Sequence, residues 1–191
     1  MYVTIIKLSK QFVLVKFISI LLLRNKKRMP YLFSYGSNNK DQLEERLKIK
    51  IKEVIPAYYP NHTLAFGSWS KKWDGAVGTV TSLKGENVYG YLTFLTDQEL
   101  DRLDEYEGVQ FGKYERKRIR VVLKDQTRKF AICYVLTPKH YTWLGPPNHR
   151  YLEAIHKTQS THWGNLVRDI EIRNVQTLVL GKKVRKEKKK E

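Results

Sequence analysis

Two strand-forming runs, Tyr114–Leu123 and Lys129–Thr137, stand five residues apart across a polar turn, and this spacing constrains the fold more than any other feature. Strands so close pair as an antiparallel hairpin, because a parallel crossover needs a dozen or more residues. Four further runs precede them: Tyr31–Tyr35, Ala57–Phe66, Ala76–Ser82 and Val88–Leu95. Helical patterns are predicted over Asp41–Lys48, Asp97–Glu107, Tyr151–His162 and Gly164–Arg173. A strand-rich middle with helices toward both ends reads as α+β, its strands forming a small barrel or a strongly curved sheet. With 191 residues the chain fills one good core and falls short of two full domains.

The net charge of +17 suggests nucleic acid until its distribution is considered. Residues 1–28 hold seven basic residues and no acid, and residues 182–191 hold seven against two, so the stretch between carries only +5. Charge loaded at the ends reads as solvated tails with salt-sensitive affinity for polyanions. The recognition signatures of a sequence-reading nucleic-acid domain are missing, so no specific nucleic-acid partner is expected. In the first 28 residues Lys7, Lys10 and Lys16 interrupt the apolar runs, which argues against a membrane span. A basic cluster, Arg24 to Arg28, stands where a signal peptide would have small residues. The expected organisation is therefore an extension over 1–28 outside the fold, a domain over 29–175, and a basic tail over 176–191. Cys133 is the only cysteine, which excludes a disulfide framework and fits a reducing, cytoplasmic setting. The five histidines show no ligand-like spacing, so no metal is expected.

Two places could carry chemistry. Strand, glycine turn and helix start meet at Tyr35-Gly36-Ser37-Asn38, where free backbone N–H groups and the helix dipole favour an anion. A purely structural turn is the competing reading. The second place is the end of the Asp97–Glu107 helix. Thr96 and Glu99 form a capping box at its start and Gly108 is a natural stop. Leu100 and Leu103 define the apolar stripe, and Glu107, seven residues after Leu100, falls only about 20° from it. Glu107 therefore points inward from the last turn. Burial and the dipole both raise a carboxyl pKa there, which suits a general base near neutrality. Phase alone leaves equal room for a glutamate that reaches solvent or makes a structural ion pair.

The ordered set of motifs resembles the γ-glutamylcyclotransferase family. It comprises Tyr35-Gly36-Ser37-Asn38, Phe66 with Ser70-Lys-Lys-Trp73-Asp-Gly75, Val88-Tyr-Gly90, Leu103-Asp-Glu-Tyr-Glu107-Gly108, Tyr114 and Pro147-Asn-His-Arg-Tyr151. The set covers roughly residues 30–165, with Ala76 where the family usually has a second glycine. The resemblance implies a six-stranded β-barrel flanked by helices, without metal or organic cofactor. It also implies cleavage of a γ-glutamyl bond by the substrate's own α-amino group, releasing 5-oxoproline and an amino acid or amine. The catalytic glutamate of the family matches Glu107. Its binding loop matches Leu32, Phe33, Ser34, Tyr35, Gly36, Ser37 and Asn38, and its pocket tyrosines match Tyr114 and Tyr151. The competing expectation is a non-catalytic binding module on the same fold, attached to polyanions by its tails.

Overall fold

The computed structural model describes residues 30–167 and 169–180. The extension expected over 1–28 and the basic stretch 182–191 lie outside the described residues. The elements follow as β1 (Tyr31–Ser34), α1 (Lys40–Leu47), β2 (Val54–Ser70), β3 (Gly75–Phe94), α2 (Asp97–Glu107), β4 (Tyr114–Leu123), β5 (Arg128–Leu136) and α3 (His149–Trp163). Short 3-10 turns occupy Val109–Phe111, Pro138–His140 and Gly164–Leu166.

The strands close into a barrel in the order β1-β3-β2-β4-β5. The expected hairpin is β4–β5, paired antiparallel from Tyr114 opposite Leu136 to Val122 opposite Arg128. Closure comes from a parallel pairing of β1 with β5, with Leu32 opposite Ile132. The barrel has five strands rather than the expected six. The runs Ala76–Ser82 and Val88–Leu95 belong to one strand, β3, because Lys84-Gly85-Glu86 bulges from the ladder instead of ending it. The register passes from His62 opposite Ser82 to Pro60 opposite Asn87, so residues 83–86 face Asn61 alone. Asn61 and Gly85 take left-handed backbone, at φ 56° and 87°, and the Gly85 N–H donates to Asn61 Oδ1 at 3.1 Å. A turn signature thus forms a bulge, which bends a strand without breaking it.

Each helix covers the barrel with a narrow apolar stripe: Leu43 and Leu47 from α1, Leu100 and Leu103 from α2, Tyr151, Ile155 and Trp163 from α3. Burying one such leucine contributes about 2 kcal/mol. No α-helix forms among the described residues of the run expected over Gly164–Arg173, where Gly164–Leu166 makes only a 3-10 turn. Gly164 turns the chain at φ 49°, and the Arg173 carbonyl accepts from the Phe66 N–H at 2.8 Å, drawing the segment along β2 in an extended path. No helix among the described residues is long and apolar enough to cross a membrane.

Candidate active site

The capping box forms at the start of α2: the Thr96 N–H donates to Glu99 Oε2 at 2.6 Å and the Glu99 N–H donates to Thr96 Oγ1 at 3.2 Å. Gly108, at φ 67°, ends the helix. With both ends fixed and Leu100 and Leu103 in the core, the phase of Glu107 is set, and its side chain is only 11 % exposed. Its carboxylate is held from two sides. Glu107 Oε1 accepts from Asn38 Nδ2 at 2.9 Å and from Arg46 Nη1 at 3.2 Å. Arg46 Nη1 also donates to Asn38 Oδ1 at 2.7 Å, closing a triangle of three side chains from α1, α2 and the loop after β1. Burial pushes the Glu107 carboxyl above the ordinary carboxylate range, while Asn38, Arg46 and the more distant Lys113 pull it partway back.

The loop that supplies Asn38 is tied down at its carbonyls. The Tyr35 carbonyl accepts from Gln159 Nε2 at 3.1 Å, and the Asn38 carbonyl accepts from Tyr91 Oη at 3.1 Å. The Tyr35 hydroxyl donates to the Tyr134 carbonyl at 2.8 Å. Asn39 caps α1, with its Oδ1 accepting from the Gln42 N–H at 2.9 Å. The N–H groups of Gly36 and Ser37 make no hydrogen bond to another described residue, as befits donors at a turn that meets a helix start.

Tyr114 and Tyr151 grip one residue of β3 from two sides. Tyr114 Oη donates to the Gly78 carbonyl and Tyr151 Oη accepts from the Gly78 N–H, both at 2.8 Å. Burial raises both phenols, Tyr151 to about 12, so both are neutral at physiological pH. A side chain at position 78 would approach Tyr151 Oη to 3.2 Å, so glycine keeps the grip possible. The Trp73 ring packs on Tyr151 with centroids 5.0 Å apart.

All ten residues singled out from the sequence, Leu32 through Asn38, Glu107, Tyr114 and Tyr151, line one cavity of about 180 Å³. That volume admits a moiety the size of one amino acid. Arg46, Lys72 and Lys113 also line it, giving a basic wall around one carboxylate. Burial lowers the Lys113 pKa, and its ammonium donates to the Trp69 carbonyl at 3.1 Å. Sequence reasoning missed Arg46. Its signal was available: three residues after Leu43 and one before Leu47, it borders the buried stripe of α1. No group of three metal-ligating side chains occurs among the described residues, and Arg46 beside Glu107 disfavours a second cation there.

An inward carboxylate at the end of a short helix, a polar loop leaving β1 and a closed barrel define a small-molecule site of one particular architecture. A model of the AIG2-like family matches residues 87–162. The γ-glutamylcyclotransferase of Mus musculus is 28 % identical over 130 residues, covering 64 % of this chain and 66 % of that protein. AIG2-like protein D of Arabidopsis thaliana is 32 % identical over 117 residues, covering 60 % of this chain and 68 % of that protein. A solved γ-glutamyl cyclotransferase structure shares the fold, with a TM-score of 0.61 at 23 % identity, covering 71 % of this chain and 81 % of that chain. The chain thus spans just under two thirds of the length of the mouse relative. It belongs to the AIG2-like family.

Proposed function

We propose that the chain is a cofactor-independent γ-glutamylcyclotransferase, with Glu107 as its general base. The observation that carries this reading is the buried Glu107 carboxylate, oriented by Asn38 and Arg46 in an amino-acid-sized cavity. The substrate's α-ammonium must lose a proton before its nitrogen can attack the γ-carbonyl, and Glu107 takes that proton. The new C–N bond closes the five-membered ring of 5-oxoproline. As the old γ-amide C–N bond breaks, Glu107 passes its proton to the departing nitrogen. The freed carboxylate relays the ring nitrogen's second proton to it as well, leaving the lactam N–H and an ammonium product. In this reading the Gly36 and Ser37 N–H groups are the donors for the charge that develops on the carbonyl oxygen. Holding the glutamyl chain curled contributes further through orientation. The leaving group is an amino acid or an amine. Measuring 5-oxoproline release from a panel of γ-glutamyl amino acids and γ-glutamylamines tests the proposal, and no release from any member would sink it.

The same geometry fixes the pH dependence. The base works only when deprotonated, so kcat/KM falls as pH drops through the Glu107 pKa, which lies above the ordinary carboxylate range. Arg46 is a positioning residue that holds this pKa down. Arg46→Leu removes the nearby positive charge and moves the acid limb of the profile to higher pH. A profile that keeps its acid limb in Arg46→Leu would show that the limb belongs to another group.

A further inference from the structure

We infer that the outer face of the β4–β5 ribbon is a binding surface for single-stranded nucleic acid, independent of the cavity. Between Arg116 and Lys129 the chain places seven basic residues against one acid, Asp125. Arg116 is engaged by Asp101 and Asp104 of α2. Among the described residues, none of Lys117, Arg118, Arg120, Lys124, Arg128 and Lys129 has a carboxylate within ion-pair distance. This charge sits in the folded body, apart from the basic ends of the chain.

The arrangement is linear. Arg118 and Arg120 are two residues apart on one face of β4, about 6.7 Å along the strand. Arg120 lies opposite Phe130, and the next pair on the same face, Val122 and Arg128, adds a third guanidinium. Phe130 is 51 % exposed between them, with the Arg118 guanidinium 4.0 Å and the Arg120 guanidinium 5.4 Å from its ring centroid. Stacking on an aromatic ring pre-orders an arginine while leaving its N–H edge free for phosphate. A row of guanidinium groups at strand spacing, with one aromatic among them, fits a flexible linear polyanion that carries a base at each charge. A bilayer fits poorly, because one phenylalanine offers little apolar area to insert.

The test is fluorescence anisotropy of a labelled oligothymidylate with the full chain, titrated between 50 and 200 mM salt. Each phosphate contact on a single strand contributes about −0.7 to the slope of log K against log salt. Arg118→Ala/Arg120→Ala/Arg128→Ala is therefore expected to flatten the slope by about 2. The matching triple Arg→Lys variant restores it, which separates charge from folding. Phe130→Ser is expected to weaken binding about fivefold or more with the slope unchanged, since stacking releases no counterions. Parental affinity and slope in the triple Ala variant would overturn the proposal by leaving all binding to the chain ends. Retention on phosphatidylserine vesicles that oligothymidylate fails to displace would overturn it in favour of a membrane surface.

Discussion

Glu107→Gln lowers 5-oxoproline release by about 10²–10⁴-fold while leaving the fold intact. Gln has nearly the shape of Glu, and its amide oxygen still accepts from Asn38 Nδ2 and Arg46 Nη1, so the triangle of side chains survives. What disappears is the ability to take a proton from the α-ammonium. Glu105→Gln is the matched control. It lies two residues earlier on the same helix, exposed to solvent, and turnover stays near normal. The comparison is read from single-turnover rates together with melting curves for both variants. Equal losses in the two, or near-normal turnover in Glu107→Gln, remove Glu107 from the role of base.

The second large effect is on stability. Gly90→Ala costs about 3 kcal/mol, the upper end of overpacking, because the obstructing atoms are main chain and have nowhere to go. A Cβ at position 90 would lie 3.0 Å from the Ser34 carbonyl carbon and well inside van der Waals contact of its oxygen. The Gly90 carbonyl is itself pinned, accepting from Trp163 Nε1 at 2.8 Å, so β3 cannot slide away. For a chain of this size the melting temperature falls by roughly 6–12 °C. Gly85→Ala is the contrast. A side chain there meets open space, and only its φ of 87° is strained, which costs about 1 kcal/mol. Equal shifts in melting temperature for the two would show that close approach to β1 is not what reserves position 90 for glycine. Because Ser34 leads into the loop over Tyr35–Asn38, Gly90→Ala also disturbs the cavity from beneath.

The sequence was most informative where local rules act alone. The phase of α2 follows from a capping box, two leucines and a terminal glycine, and these aim Glu107 toward the core, while its burial and its ion pair with Arg46 are settled only by tertiary packing. The β4–β5 hairpin followed from spacing in the same way. Tyr114 and Tyr151 needed the family resemblance, since an aromatic on a strand and one on a helix show no common target until both reach Gly78. Arg46 stayed hidden because an arginine beside an apolar stripe is buried only if another element covers it. Here α2 does so, bringing Glu107 against the guanidinium and the Tyr106 ring 5.2 Å from it. The strand count went astray for a related reason. Lys84-Gly85-Glu86 has the composition of a turn, and only the pairing of β2 with β3 on both sides of it keeps the strand continuous.

The parallel meeting of Leu32 with Ile132 has a kinetic consequence. One pair of opposed residues shuts the barrel, whereas β2 and β3 are laced together along nearly their whole lengths. The β2–β4 junction is short as well, at two pairs, but the single-pair β1–β5 seam is the shorter and opens first, in local fluctuations that cost far less than global unfolding. In native-state hydrogen exchange the amides of β1 and the facing part of β5 therefore lose protection well before those of β2 and β3. Leu32 also begins the segment that lines the cavity, so an occupied cavity stitches the seam from inside. On the proposed reading, a γ-glutamyl compound is expected to slow exchange at β1 more than anywhere else in the barrel, making the seam a reporter of occupancy.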